Sequence, residues 1–558
     1  MLIIILSWIV LFLLVFGLGH LIMGKIVRIF HLKDKIYWFE YFWMGLAGVI
    51  AILQVWSIFL PVDGYTLLFI AAISGLRLVH AFRGSSPFNR EKITKFAKIN
   101  KTFFLTGIFI LLAISLYATQ NVTWPDTLLY HLGAVKWSNT FAAVPGLANL
   151  HSRLGFNSSF FLFASMVEGF FLKDASVHVA MSLLISVLSL EILWILLRKN
   201  NLHLKYFCLF IIPFIFREIT GDGVVPSFST DFALVVIVVS GAIEFFLGNT
   251  KALFIAGVMA CLAFTIKLSG LVFSAAMFLF AAGGLIAMNK RHKTRVALVL
   301  LISGGLLIVP YIVRNIILSG WPLYPIPIFG VDVPWTVAES QVRSLSSVIH
   351  AWAINPGPSW SKYIEVDFLE WVPVWFARNS GNWDVRIFFA GCLLLLLSPL
   401  AGVYKKMSPA FKKPLFLLTA ASLINVFYVL FTAPDTRFGA IFIWMFFSAA
   451  VTPYAIFLIS KGRSFRSYII AAWLILLIVI SYPIIFKNTY SIWTVPKESS
   501  RPTTEVQVKG SGVKDQFYIL KPTQGNLCGN SGFMCTPESN EIRELVPGEI
   551  AKGFGPVN

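Results

Sequence analysis

The chain has 558 residues, 57% of them hydrophobic and only 13% charged, a balance that excludes a soluble enzyme and predicts a polytopic membrane protein. The net charge of +19 does not point to nucleic acid, because the basic residues fall in short clusters between apolar runs, as the positive-inside pattern requires. In chain order the apolar runs lie near 3–23, 39–60, 65–82, 102–119, 175–197, 203–219, 229–247, 252–269, 270–289, 296–318, 386–404, 414–432, 438–459 and 467–487. That predicts an all-α protein of about 14 transmembrane helices. The first run has basic residues after it rather than before it and lacks a clear small-residue cleavage site, so it reads as a retained span with its N-terminus outside. The basic clusters Lys25–Lys35, Arg83–Lys101, Arg198–Lys205, Lys290–Arg295, Lys405–Lys413 and Lys461–Arg466 then all fall inside.

This topology divides the chain into N-terminal helices (1–101), a core (102–487) with external loops 120–174 and 320–385, and an external tail (488–558). Phe160–Leu172 is apolar but too short to span, which predicts an interfacial helix in the outer headgroup region. The loop 320–385 opens on WPLYPIPIFG and is rich in Trp, which predicts interface anchoring and a lid over a site. The tail is polar, and VQVKGSGVKDQFYIL alternates as strands do, so a small α/β or β-rich appendage is expected. Cys208, Cys261 and Cys392 lie in apolar runs as small hydrophobes, whereas Cys528 and Cys535 suit a local disulfide in an oxidising compartment.

The loop from Asn121 to Ser159 carries most of the chemistry. Asp126 follows Trp124-Pro125 and reads equally as a general base toward a hydroxyl and as a helix N-cap for TLLYHLGAVKW. Tyr130 and Trp137 share a helical face, suited to stacking on a sugar or to lining the interface. His131 is a candidate to orient a substrate hydroxyl, against a structural role. In HSRLGFNSS, His151, Arg153 and Asn157 are further binding candidates; Arg153 suits a phosphate, and Asn157 also opens a glycosylation sequon, as does Asn121.

Arg217, Lys267, Arg314 and Arg437 break the charge rule, since each falls at an outer span end. Ionisable groups there face a cavity or pair. The expectation is convergence on an anionic headgroup; the alternative is separate salt bridges such as Arg217 with Glu218 and Arg437 with Asp435. Asp222 and Asp231 flank an external turn and are candidates for a second carboxylate. A divalent cation held by hard oxygen ligands is the one cofactor they suggest, with no diagnostic spacing.

Together these segments resemble the GT-C superfamily of integral-membrane glycosyltransferases. The motifs, in order, are WPDTLLYH with its early Asp, the short FFLFASMVEGFF helix, GDGVVPSFSTDFAL, GVMACLAFTIKLSG, VPYIVRNIILSGWPLYP and PDTRF. With DTLLYHL, VPGLANLHSRLGFNSS and the CGNSGFMCTP tail, the chain looks like an uncharacterised bacterial branch of that superfamily. Thr127 stands where the family's paired-acid form has a second acid. The resemblance implies a bacterial cytoplasmic membrane, a polyprenyl-phosphate-linked sugar donor, a glycan, lipid or protein acceptor, and Asp126 as base. The rival classes are a flippase for a lipid-linked glycan and an inactive subunit of an envelope assembly.

Overall fold

A computed structural model describes residues 1–31, 34–83, 100–169, 172, 174–198, 201–221, 223–288, 293–460, 501–509, 516–538 and 542–556. The architecture is a bundle of apolar helices carrying two small β-hairpins. Among the described residues ten helices are long and apolar enough to cross a membrane, and Gly64–His80 and Thr250–Ile266 are shorter apolar helices. A further helix, Leu202–Thr220, contains Pro213. The apolar run 467–487 lies outside the described residues.

The helices differ in what covers them. Thr230–Leu247 is hydrophobic on all sides and 89% of its most apolar window is buried by neighbours; only 22% of the corresponding window of Trp383–Ala401 is. The first therefore forms the centre of the bundle and the second its rim, where Leu396 and Leu400 point outward as lipid-facing side chains do. The N-terminal helix Leu2–Phe30 is an integral part of this packing. It crosses Trp38–Phe59 at Gly19 and Gly45, where a Cβ on Gly19 would stand 1.7 Å from the Tyr41 carbonyl oxygen and one on Gly45 1.9 Å from that of Val15. Only small residues allow backbones to approach so closely.

Ser159–Glu168 does not lie on the surface, as its length and composition predict. Phe160 to Val167 are all buried, and helices 38–59, 64–83, 132–140 and 250–266 pack around them. A helix that is apolar on every face needs cover on every face, and here protein supplies it.

The 320–385 segment is pinned rather than free. Trp321, Tyr324, Val337 and Val342 form a small second core with Ala148 of the Asp126 loop. The Trp321 indole donates to the Val337 carbonyl at 2.9 Å and the Trp335 indole to that of Ile316 at 3.0 Å. Two helices follow, Glu339–Ile354 and Phe368–Asn379.

In the tail, strands β1 (Thr503–Lys509) and β2 (Gln516–Pro522) pair antiparallel, as do β3 (Ile542–Glu544) and β4 (Phe554–Pro556). The tail is not a free appendage, because it is docked on the 121–159 loop. The Phe554 amide donates to the Pro145 carbonyl at 2.9 Å, and Asn149 Nδ2 donates to the Phe554 carbonyl at 3.2 Å. Gly146 sits at φ +63°, and a Cβ there would meet the Phe554 carbonyl oxygen at 2.0 Å. Tail and loop thus occupy one end of the bundle.

Candidate functional site

Asp126 sits where the chain leaves helix Lys101–Ala118 and enters a π-helical turn, Thr127–His131. Its backbone is already helical, at φ −66° and ψ −29°, and its side chain makes no cap hydrogen bond. The carboxylate instead turns toward cations. Arg437 Nη1 donates to Asp126 Oδ2 at 3.0 Å, and Arg153 Nη1 stands 3.8 Å from Oδ1. Arg437 Nε is also 3.6 Å from Asp231 Oδ2, and Lys267 Nζ pairs with Asp231 Oδ1. The Arg437 guanidinium lies over the rings of Trp124 and Phe438, and the Lys267 ammonium over Phe438.

Helix ends explain this meeting. Ser229 caps Thr230–Leu247 and places Asp231 in its first turn, while Lys267 follows the last residue of Thr250–Ile266. Asp435 caps Thr436–Ile459 through the Arg437 amide, at 2.9 Å, and the alternative of a separate Arg437–Asp435 salt bridge gives way to Arg437 with Asp126 and Asp231. The result is one network of three cations and two carboxylates, with Asp126 18% and Arg437 33% exposed. Burial alone would raise the Asp126 carboxyl, but the cations, Arg437 foremost, outweigh it and hold its pKa below the ordinary value. Asp126 is therefore ionised at neutral pH.

The other predicted residues divide sharply. Arg217 does not join the network. It pairs with Glu218 at 2.8 Å and with Asp384 at 2.7 Å, and Asp384 also accepts from the Trp444 indole at 2.7 Å. Arg314 is buried behind the loop, donating to Asn157 Oδ1 at 3.1 Å and Ser138 Oγ at 2.9 Å. Asn157 uses its other end on the Tyr311 carbonyl at 3.1 Å; buried and bonded at both ends, it holds the loop together and is closed to a substrate or a glycan. Asp222 lies outside the described residues.

His131 is buried, and its Nδ1 is 3.2 Å from Thr127 Oγ1, which also accepts from the Phe228 amide. Burial pushes its pKa down to about 3, so it is a neutral packing group behind Asp126 rather than a group facing solvent. Tyr130 packs edge-on against His131, Phe156 and Phe161, and burial raises its phenol. Trp137 is sealed beneath the tail: its indole donates to the Phe533 carbonyl at 3.1 Å, and its ring lies against Phe141, Phe533 and Phe554. It has no face left for a sugar.

His151 is likewise buried under the tail, its Nε2 4.0 Å from Glu538 Oε1. Burial lowers its pKa to about 4. Glu538 itself accepts from the Ser152 amide at 2.8 Å and from Ser152 Oγ. Tyr130 and Trp137 lie on one side, as their spacing predicts, and together with His151 they line a small cleft closed by residues 528–533. Cys528 and Cys535 are joined as a disulfide, while Cys208 and Cys261 are free and buried.

Asp384 and Glu538 escaped the sequence reading. Asp384 had a visible signal, an acid in the first turn of an apolar helix capped by Asn382. Glu538 had none, because its partners are 386 residues away. Among the described residues no group of three or more His, Cys, Asp or Glu side chains is placed to hold a metal ion. Asp231, one of the two predicted oxygen donors, is occupied by Lys267 and Arg437, and a site already filled by cations does not suit a divalent ion.

Comparison with curated proteins and with solved structures finds no match to either. A family's sequence model does match residues 1–444, most of the helical bundle with the Asp126 loop, Asp231, Lys267 and Arg437. The chain thus belongs to the family described as a domain of unknown function, DUF8201.

Proposed function

We propose that the protein is a GT-C-like glycosyltransferase that moves a sugar from a polyprenyl-phosphate donor to an acceptor hydroxyl at the external face of a bacterial cytoplasmic membrane. The reading includes about 14 spans, with the Asp126 loop and the tail outside, as the charge pattern of the sequence favours. The observation that carries it is the Asp126 network. An ionised and partly exposed carboxylate stands in an open network where three cations, Arg437, Arg153 and Lys267, pair with Asp126 and Asp231 beside the apolar helices Thr230–Leu247 and Thr436–Ile459. Two arginines and a lysine converging on one partly exposed cluster suit a phosphate.

In this reading Asp126 takes the proton of the acceptor hydroxyl. The acceptor oxygen attacks the anomeric carbon, the bond from that carbon to the phosphate oxygen breaks, and the electron pair leaves with the lipid phosphate. One displacement inverts the anomeric centre. Arg437, Arg153 and Lys267 stabilise the charge that grows on the departing phosphate, and positioning supplies the rest. Arg153 is the cation best placed to change partners, since its contact with Asp126 is the longest in the network at 3.8 Å. Arg217 and Arg314 are left out, because Arg217 pairs with Glu218 and Asp384 and Arg314 is buried against Asn157 and Ser138, away from the Asp126 network.

The test is Asp126→Asn in purified protein offered a panel of polyprenyl-phosphate sugars. Transfer is expected to fall by about 10²–10⁴-fold, the usual worth of a general base, with expression and lipid binding retained. Wild-type transfer by the variant rules the assignment out. Movement of an intact lipid-linked glycan across vesicles, without bond cleavage, would instead favour a flippase.

A further inference from the structure

The π turn after Asp126 leaves a gap in its own hydrogen bonding. In an α-helix the Leu128 carbonyl would accept from the Leu132 amide, four residues on. Here the Leu132 amide donates to the Thr127 carbonyl, so Leu128 loses that partner. The Gly529 amide takes its place, donating to the Leu128 carbonyl at 2.7 Å. Gly529 belongs to the ring closed by the Cys528–Cys535 disulfide.

The same ring grips the next turns of the helix. Lys136 Nζ donates to the Ser531 carbonyl at 3.1 Å, and the Trp137 indole to that of Phe533 at 3.1 Å. Its outer side is backed by strand β2, where the Leu520 amide donates to the Met534 carbonyl at 3.1 Å and the Thr536 amide to the Leu520 carbonyl at 2.9 Å. One small closed loop therefore supplies main-chain partners to Leu128, Lys136 and Trp137, all on the element that begins at Asp126. The ring also lies beyond residue 444, where the match to the family ends.

We propose that the Cys528–Cys535 ring is a positioning element for Asp126: it completes the hydrogen bonding of the π turn and so fixes the carboxylate against Arg437 and Arg153, and it does this only while the disulfide is closed. The ring acts through the turn and touches no reacting atom. Its consequence for turnover rests on the transfer reading above, whereas its grip on the turn does not.

The experiment uses the full-length protein in lipid nanodiscs, compared as oxidised, as reduced with a phosphine, and as reoxidised, with thiols counted by mass. Amide exchange is followed in peptides covering Leu128–Trp137 and, as a control, Thr230–Leu247. Reduction is expected to speed exchange in the first by about 10-fold or more and to leave the second unchanged, a local opening rather than a global one; reoxidation restores the slow rate. Unchanged exchange across Leu128–Trp137 with both thiols open overturns the proposal.

A second readout follows transfer against pH. Loosening Asp126 from Arg437 raises its pKa, so the acid limb of the profile moves to higher pH on reduction. A ring that only supported the fold would lower activity equally at every pH, and that result, or an unmoved limb, overturns the positioning role. Absence of transfer in every form counts against the glycosyltransferase reading alone, and the exchange data still decide the grip on the turn.

Discussion

Helix Trp38–Phe59 connects two ionic sites of opposite character. At its start, Lys251 Nζ donates to both Glu40 oxygens at 2.7 Å and to the Lys35 carbonyl at 2.5 Å, and it lies over the Tyr37 ring. Both side chains are sealed, at 1% and 0% exposure. In the last turn of the helix, the Ser57 carbonyl accepts from the Ala143 amide of the loop that carries Asp126. There the network is open, its side chains are partly exposed and its ion-pair distances reach 3.8 Å. A sealed, matched and fully bonded pair can only hold helices together. An open network with long, partly exposed contacts can exchange a partner for a ligand. Ionic residues in a membrane protein are thus sorted by access and by how tightly each is bonded, not by their presence.

Breaking the sealed pair gives the largest expected effect. Glu40→Gln leaves the Lys251 ammonium buried without its counter-charge and is expected to cost about 3–5 kcal/mol, read as a fall in thermal stability in detergent or nanodiscs. Stability equal to wild type would mean that the two ends do not differ as argued. Arg437→Gln at the open end is expected to change stability by no more than about 1 kcal/mol, as partly exposed pairs do. It removes the foremost cation acting on Asp126, so the Asp126 pKa rises and the acid limb of the proposed transfer moves to higher pH. An unmoved limb would separate Arg437 from the function of Asp126.

The smallest effect is in the tail. His151 titrates near 4 when docked and near its ordinary value of about 6.5 when the tail is off. The undocked state binds more protons between those values, so docking is complete above about 6.5 and weakens progressively as pH falls toward 4. With exchange corrected for its intrinsic slowing at lower pH, protection of the amides in residues 528–536 is expected to fall between pH 7 and pH 5, and His151→Gln to remove that part of the dependence. The same pH response in the variant would assign it to another group.

Much of the fold was legible because the signals are local. Each apolar run reports its own span, and helices stand at the predicted positions 229–247, 296–318 and 438–459. The alternation in VQVK and QFYIL marked β1 and β2, and the cysteine pair marked its disulfide. Ser159–Glu168 was misplaced because composition measures how much cover a helix needs, not whether lipid or protein gives it. Arg217 and Arg314 were grouped with Arg437 for the same reason: all three sit at apolar span ends, and only the rotation of each helix decides which partner it meets.

The sequence by itself determined that this is a multi-pass helical membrane protein, with an acid at position 126 beside aromatic and basic residues in a long loop. Those properties are sums over neighbouring residues and survive without knowledge of the packing. The tertiary structure decided that Asp126 faces arginines instead of capping a helix. It brought Arg437 across 311 residues, and it covered Trp137 and His151 with a tail that the sequence left as an appendage. Such pairings depend on helix rotation and on which backbone groups a π turn leaves unbonded, and neither is encoded in a local window.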